Sequence, residues 1–225
     1  MGEIEAYQFP WNVYYFFWIE WRDFDMELGP ELEQLIADCA SAINDSAPTK
    51  AVREIVARAV ADPAALQKEL GVPERGGINR IHVSDELTIL NVVWAPRMTL
   101  KPHNHNMWAV IGVYGGREDN IFWRRIDGDP AGRIEAAGAK SIGVRDVRPL
   151  GEDIIHSVTN PTSKLTGAIH VYGGNFFEMH RSEWEPESLQ ERPYDLEGNI
   201  RIFEEANKIM EVRTVLQSDG HALLR

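Results

Sequence analysis

The spacing of apolar positions divides the chain into a helical first third and a β-rich remainder. Leu32, Leu35, Ile36, Cys39, Ala40 and Ile43 recur at intervals of three and four, and Val52, Ile55, Val56, Ala59 and Val60 repeat that spacing. This predicts two amphipathic helices, broken near residues 45–48. Asp62 before Pro63, with Gly71 just past the end, predicts a short third helix over 63–70, with a side-chain cap, a first-turn proline and a glycine stop. Beyond Gly76-Gly77 the runs shorten. Apolar stretches at 87–94, 107–114, 120–126, 141–147, 154–158 and 165–172 are separated by Ala95-Pro96, Gly115-Gly116, Asp127-Gly128-Asp129-Pro130 and Asn160-Pro161. Many short strands between such turns predict an antiparallel sandwich or barrel. The tail after Phe177 is charged, carries Pro186 and Pro193, and predicts a last helix near 200–215, where Ile202, Phe203, Ala206, Ile209 and Met210 share one stripe. No internal repeat or low-complexity tract interrupts this order.

Composition narrows the class. The 225 residues, 44% hydrophobic and 26% charged, suit one globular domain with appendages, and no apolar run reaches the roughly 20 residues that a membrane helix needs. With 23 basic against 35 acidic residues the formal charge is −12, a field that repels nucleic-acid backbones and anionic lipid surfaces. The single cysteine, Cys39, has no partner for an intramolecular disulfide, and no signal-peptide pattern is present, so a cytoplasmic protein is expected. Residues 7–24 hold ten of the chain's aromatics (Tyr7, Phe9, Trp11, Tyr14, Tyr15, Phe16, Phe17, Trp18, Trp21 and Phe24). This stretch is expected to pack as an arm on its own domain or on a second copy, giving a homodimer. The other reading is that Met26 is the natural start and residues 1–25 are upstream sequence.

Candidate chemistry lies in the β-rich part. His103 and His105 are two apart, so on an extended strand both imidazoles leave one face, an economical way to offer two nitrogens to one metal. His156 lies several predicted strands later, where a closed barrel could return it to the same site.

The surrounding residues form recognisable motifs. Gly143-x5-Pro149-x-Gly151, followed by His156-x3-Asn160, resembles the second motif of cupins with two extra residues before the histidine. Lys101-Pro102-His103-Asn104-His105, followed by Gly112 and Gly115-Gly116, resembles the first, without its glutamate, since residues 106–114 contain no carboxylate. Three histidines and no acidic ligand is the pattern of cysteine dioxygenases and their bacterial thiol dioxygenase relatives. Ile169-His170-Val171-Tyr172-Gly173-Gly174 resembles the Ser-x-His-x-Tyr segment of that family, with Ala168 in place of the serine, and Val92-Val93-Trp94-Ala95-Pro96 and Trp108 also resemble the bacterial members.

The resemblance covers roughly residues 78–182. It implies a mainly β fold, a cupin double-stranded β-helix or jelly-roll barrel, over 78–178. The aromatic arm and helical segment would occupy 1–77, and a C-terminal helical extension would pack on the barrel over 179–225. It further implies iron(II) on His103, His105 and His156, an outer relay of His170 and Tyr172, and a small thiol and dioxygen as reactants. By ligand softness alone zinc, nickel, manganese and iron(II) all suit three imidazoles. Arg80, in Asn79-Arg80-Ile81-His82, sits where cysteine dioxygenases place their carboxylate-binding arginine, and Arg181 where 3-mercaptopropionate dioxygenases place theirs. Cys39 shares a helix face with Leu35, Ile36 and Ile43 and is expected in the core, with no thioether to the tyrosine. Met98, Met107 and Met179 are expected to pack, and His82, His180 and His221 to be structural or exposed. A cupin oxygenase of another substrate class, or a cupin that binds a metal or small ligand without turnover, are the alternatives.

Overall fold

The computed structural model describes residues 28–222, of which 215–222 by backbone alone, so the aromatic stretch, Met26 and the side chain of His221 lie outside the described residues. Three helices open it: α1 (Pro30–Ala42), α2 (Pro48–Ala61) and α3 (Pro63–Leu70). Their ends follow the sequence signals. Asp62 Oδ1 accepts from the Ala64 and Ala65 amides at the start of α3, and Gly71 takes φ +77° beyond its last turn. No residue caps α1 locally; the carboxylate of Glu69, from α3, accepts from the amides of Glu31 and Leu32 at 3.0 and 2.9 Å. The helix start is thereby satisfied in charge and hydrogen bonding by its neighbour.

Eleven strands follow: β1 (Gly77–Val83), β2 (Thr88–Trp94), β3 (Thr99–Asn104), β4 (Ala109–Gly115), β5 (Arg117–Arg125), β6 (Ile134–Gly143), β7 (Val147–Leu150), β8 (Ile155–Thr159), β9 (Thr166–Tyr172), β10 (Ser182–Trp184) and β11 (Glu191–Pro193). They make two antiparallel sheets, in the orders β1-β2-β9-β4-β7 and β11-β10-β3-β8-β5-β6. Consecutive strands repeatedly change sheet, so this is the expected jelly-roll barrel rather than a meander. A final helix, α4 (Leu196–Ala222), runs longer than its apolar stripe predicts. Phe203 on α4 stacks on Trp94 at 5.4 Å, and the side chain of Asn207 bonds both the amide and the carbonyl of Gly76.

One predicted strand is two. The run 141–147 breaks after Gly143 because Arg145 adopts φ +71° while Asp146 Oδ2 accepts from the Gly143 amide, a tight turn that sends β7 into the opposite sheet. Hydrophobicity continues across that turn, so period alone does not reveal it.

The sheet carrying β2, β4 and β9 is buried on both faces. Leu90, Val92, Trp94, Ala109, Ile111, Val113, Ala168 and Tyr172 fill the barrel, while Ile89, Val110, Tyr114, Ile169 and Val171 pack against α1 and α2 with Cys39, Val52, Val56 and Val60. Cys39 is therefore a core residue, and burial pushes its thiol up to about 12. Met98 and Met107 are buried in the barrel, and Met179 is exposed.

The helical layer fits because Gly112 has no side chain: a Cβ there would lie 2.4 Å from Val56 Cγ1 and 2.9 Å from Val60 Cγ1. Gly112→Ala is expected to destabilise the protein by about 1–3 kcal/mol, the usual consequence of overpacking a rigid contact. Chemical denaturation would show this as a lower midpoint at unchanged slope, and an unchanged midpoint would mean that α2 yields easily.

Candidate metal centre

Pairing of β3 with β8 sets His103 directly opposite His156, and His105 follows one residue past the end of β3, so the two sequence-distant segments converge inside the barrel. The three rings are buried, and one nitrogen from each lies within 4.8 Å of the others. His105 Nε2 and His156 Nε2 are 3.2 Å apart. Two nitrogens held about 2.0–2.1 Å from one ion, at an angle between about 100° and the tetrahedral value, are separated by roughly that distance, so the group could hold a metal.

Partners behind the rings set the tautomers. His156 Nδ1 donates to Asn120 Oδ1 at 2.8 Å, and His103 Nδ1 to the Lys101 carbonyl at 2.9 Å. Both acceptors are oxygens, so the protons sit on Nδ1 and each Nε2 is left with a free lone pair. His105 Nδ1 is buried without a partner. Burial holds His103 down to about 4, and burial with mutual repulsion holds His105 and His156 well below the ordinary histidine range. All three are neutral at neutral pH, which is the ligating form.

These depressed values make stability pH-dependent. The unfolded chain takes up protons near 6.5, whereas folded His103 resists until about 4, so its contribution is complete above the first value and is lost as the pH falls toward the second. Metal-free protein is expected to lose on the order of 3 kcal/mol from His103 alone across that window. Denaturant midpoints measured between about pH 7 and pH 4 check this, and a flat profile would show that the rings are solvated when no ion is bound.

Beside the histidines lies a second buried polar row. Tyr172 meets the His105 ring edge-on at 5.1 Å, and its hydroxyl is 3.0 Å from His170 Nδ1. His170 and Tyr172 share one face of β9 with Ala168, as the alternation predicts, and the Ala168 position offers no hydroxyl. Burial pushes the Tyr172 phenol well above its usual value.

The two arginines separate. Arg181 is buried, with its guanidinium 3.8 Å from the centre of the Phe176 ring and 3.9 Å from that of Tyr194. Its Nη1 has no hydrogen-bond partner, and it has no carboxylate partner among the described residues. Phe176 lies 4.6 Å from Tyr172 and Tyr194 lies 6.0 Å from His103, ring centre to ring centre, so Arg181 stands one aromatic layer from the cluster. Arg80, on β1, lies over Phe177 at 4.2 Å and lines a cavity with Leu28, Leu32 and Leu70. The structure brings Arg181 to the histidines and leaves Arg80 a further ring away. His180 is exposed in a cleft that Arg181 and Tyr194 also line, and His82 is half-buried on β1.

Sequence reasoning missed Asn120, Glu118, Phe176 and Tyr194. For the first two a signal exists: on β5 the polar residues Glu118 and Asn120 are buried while Ile121 is 40% exposed, an inversion of the usual alternation. Polar residues spaced by two, with an apolar residue on the opposite face, mark a strand whose inner face serves a site.

No protein-family model matches the chain. Among solved structures it is similar to a two-residue deletion mutant of oxalate decarboxylase from Bacillus subtilis, at 15% identity over 48% of this chain and 28% of that one, with a TM-score of 0.37. A tryptophan-to-tyrosine variant of the same enzyme gives 14% identity over 46% and 26%, with a TM-score of 0.36. The chain thus spans about a quarter of the length of these solved chains. Its strand order and its three converging histidines describe an antiparallel jelly roll with a buried group that could hold a metal ion.

Proposed function

We propose that this protein is a metal-dependent dioxygenase that oxidises a small thiol bearing a carboxylate, of the cysteine or 3-mercaptopropionate kind, to its sulfinic acid. The observation that carries this reading is a set of three neutral imidazoles with no carboxylate among them, next to a buried arginine whose Nη1 is unpartnered. Neutral ligands leave the charge of a divalent ion uncompensated, which favours an anionic sulfur ligand, and a buried cation one aromatic layer away favours a second negative group on the same molecule.

Iron(II), the ion that the motif resemblance implies, would supply Lewis acidity toward the thiolate and the redox capacity for dioxygen chemistry. Zinc, nickel or manganese could occupy the same donors in purified protein. Both oxygen atoms of dioxygen enter the sulfinic acid, so the reaction needs no external reductant.

The chain's own residues bind, orient and exclude. Arg181 would pair with the substrate carboxylate at the inner end of the cleft lined by Asn106, Phe177, Tyr194 and Leu196. Phe176 and Tyr194, both packed against that guanidinium, would hold it in place and keep water from the pair. The Tyr172 hydroxyl, backed by His170, would face a ligand bound beside His105. No separate protein nucleophile is required, because proximity at a common centre supplies the reactive geometry.

The test is dioxygen uptake by anaerobically iron-loaded protein with cysteine, 3-mercaptopropionate and cysteamine. Carboxylate-bearing thiols should be consumed one for one with dioxygen to give sulfinate, ahead of cysteamine. Uptake with none of them would favour a cupin oxygenase of another substrate class or a non-catalytic binding protein.

A further inference from the structure

The barrel contains a buried carboxylate outside the histidine cluster. Glu118, on β5, is fully buried; its Oε1 accepts from Trp94 Nε1 at 2.7 Å and stands 3.5 Å from His170 Nε2, while Oε2 has no partner. His170 Nδ1 lies 3.0 Å from the Tyr172 hydroxyl, and Tyr172 abuts His105. Four side chains from three strands therefore form one line, Trp94, Glu118, His170, Tyr172, that ends at the candidate metal centre.

A buried carboxylate with one neutral donor is far short of its hydrogen-bonding capacity, and burial makes that shortfall costly. The side chain facing the same oxygen is His170. If Nε2 carried its lone pair rather than its proton, two acceptors would confront one another at 3.5 Å in a medium of low dielectric, which is repulsive. A hydrogen on Nε2 removes the conflict. With the hydrogen on Nδ1 instead, the Nε2 lone pair would face Glu118 Oε1, so the tautomer with hydrogen on Nε2 is favoured.

We propose that Glu118 is a positioning residue of this centre: it holds the His170 hydrogen on Nε2, so that the Tyr172 hydroxyl donates to Nδ1 and turns its lone pairs toward the ligand. A tyrosine oxygen presented in this way accepts a hydrogen bond rather than giving one. A thiol arrives protonated at neutral pH, its free value being near 8.5, so its S–H can meet such an acceptor on entry, before the sulfur binds as the thiolate and the proton passes to solvent. That last step rests on the thiol reading above; the assignment of Glu118 and His170 does not.

The experiment is a two-bond proton–nitrogen correlation spectrum of zinc-loaded protein labelled with nitrogen-15 in histidine, with the His170 signals assigned from a His170→Asn sample. In the wild type, His170 is expected to show a protonated Nε2 and an acceptor Nδ1. A bare Nε2, or a doubly protonated ring, overturns the proposal without need of any variant. In Glu118→Leu the preference for Nε2–H should disappear, and in Glu118→Gln, which keeps a neutral oxygen, it should weaken; an unchanged spectrum in Glu118→Leu also overturns it. With iron and a turned-over thiol, Glu118→Leu should lower kcat about 10–100-fold at similar KM and metal content, the range found when outer partners of a metal site are removed. A rise in KM with a fall in kcat and lost metal would mean a purely structural role. If wild-type protein oxidises no thiol, the substrate reading fails while the spectrum still decides the role of Glu118.

Discussion

His105→Ala is expected to keep its fold and lose its metal. Of the three rings, His105 is the one whose far nitrogen bonds nothing, so its removal strips a ligand without leaving an orphaned partner; His156→Ala would strand Asn120 Oδ1 inside the barrel as well. Two remaining imidazoles cannot hold an ion as three do, and the loss should go well beyond the 10–100-fold expected for removal of a supporting contact. Elemental analysis after desalting should show near-stoichiometric metal in wild type and in His82→Ala, whose ring lies on β1 away from the cluster, and almost none in His105→Ala. Full metal retention in His105→Ala would mean that the three rings pack together without serving as a ligand set.

Arg181→Met should raise KM for carboxylate-bearing thiols by roughly 10–100-fold, because a charge-assisted pair is worth about 1.5–3 kcal/mol and each 1.4 kcal/mol is a factor of ten. Cysteamine, which has no carboxylate, should be little affected, and kcat should change less than KM, since the arginine binds the part of the substrate that does not react. Arg80→Met provides the comparison: its guanidinium lies over Phe177, one ring further from the histidines, so a large KM effect there and none at Arg181 would reassign the carboxylate site. The same Arg181 substitution has a second consequence. A buried guanidinium without a carboxylate partner among the described residues is expensive to desolvate, and desolvation already lowers its proton affinity, so the methionine variant should unfold at a higher temperature than wild type when no ligand is present. Reduced function with raised stability is the signature of a residue kept for binding rather than for folding.

The sequence alone determined the parts that depend on local spacing. Apolar period placed α1 and α2 within a few residues, and Asp62, Pro63 and Gly71 placed α3 and marked both its ends because capping is a contact between near neighbours. Alternation put His170 and Tyr172 on one face of β9, and the two-residue spacing of His103 and His105 put both rings on one side, as extended backbone requires. Motif resemblance supplied the jelly roll and the third histidine.

What only the tertiary structure decided is which distant residues meet. The pairing of β3 with β8 sets His156 opposite His103, and no property of either segment by itself requires it. The Arg145 turn divides one apolar run between two sheets, because a change of sheet depends on a single positive φ rather than on hydrophobicity. Arg80 and Arg181 look equivalent as residues in a chain, yet only Arg181 is enclosed between Phe176 and Tyr194 beside the histidines. Glu118 is four residues past the stretch in which the sequence shows no carboxylate. It reaches the site from the neighbouring strand of the other sheet, because the closed barrel turns the inner face of β5 toward Trp94 and His170. A buried carboxyl group of this kind is tolerated only when the fold delivers its partners from across the barrel, and linear spacing carries no record of that delivery.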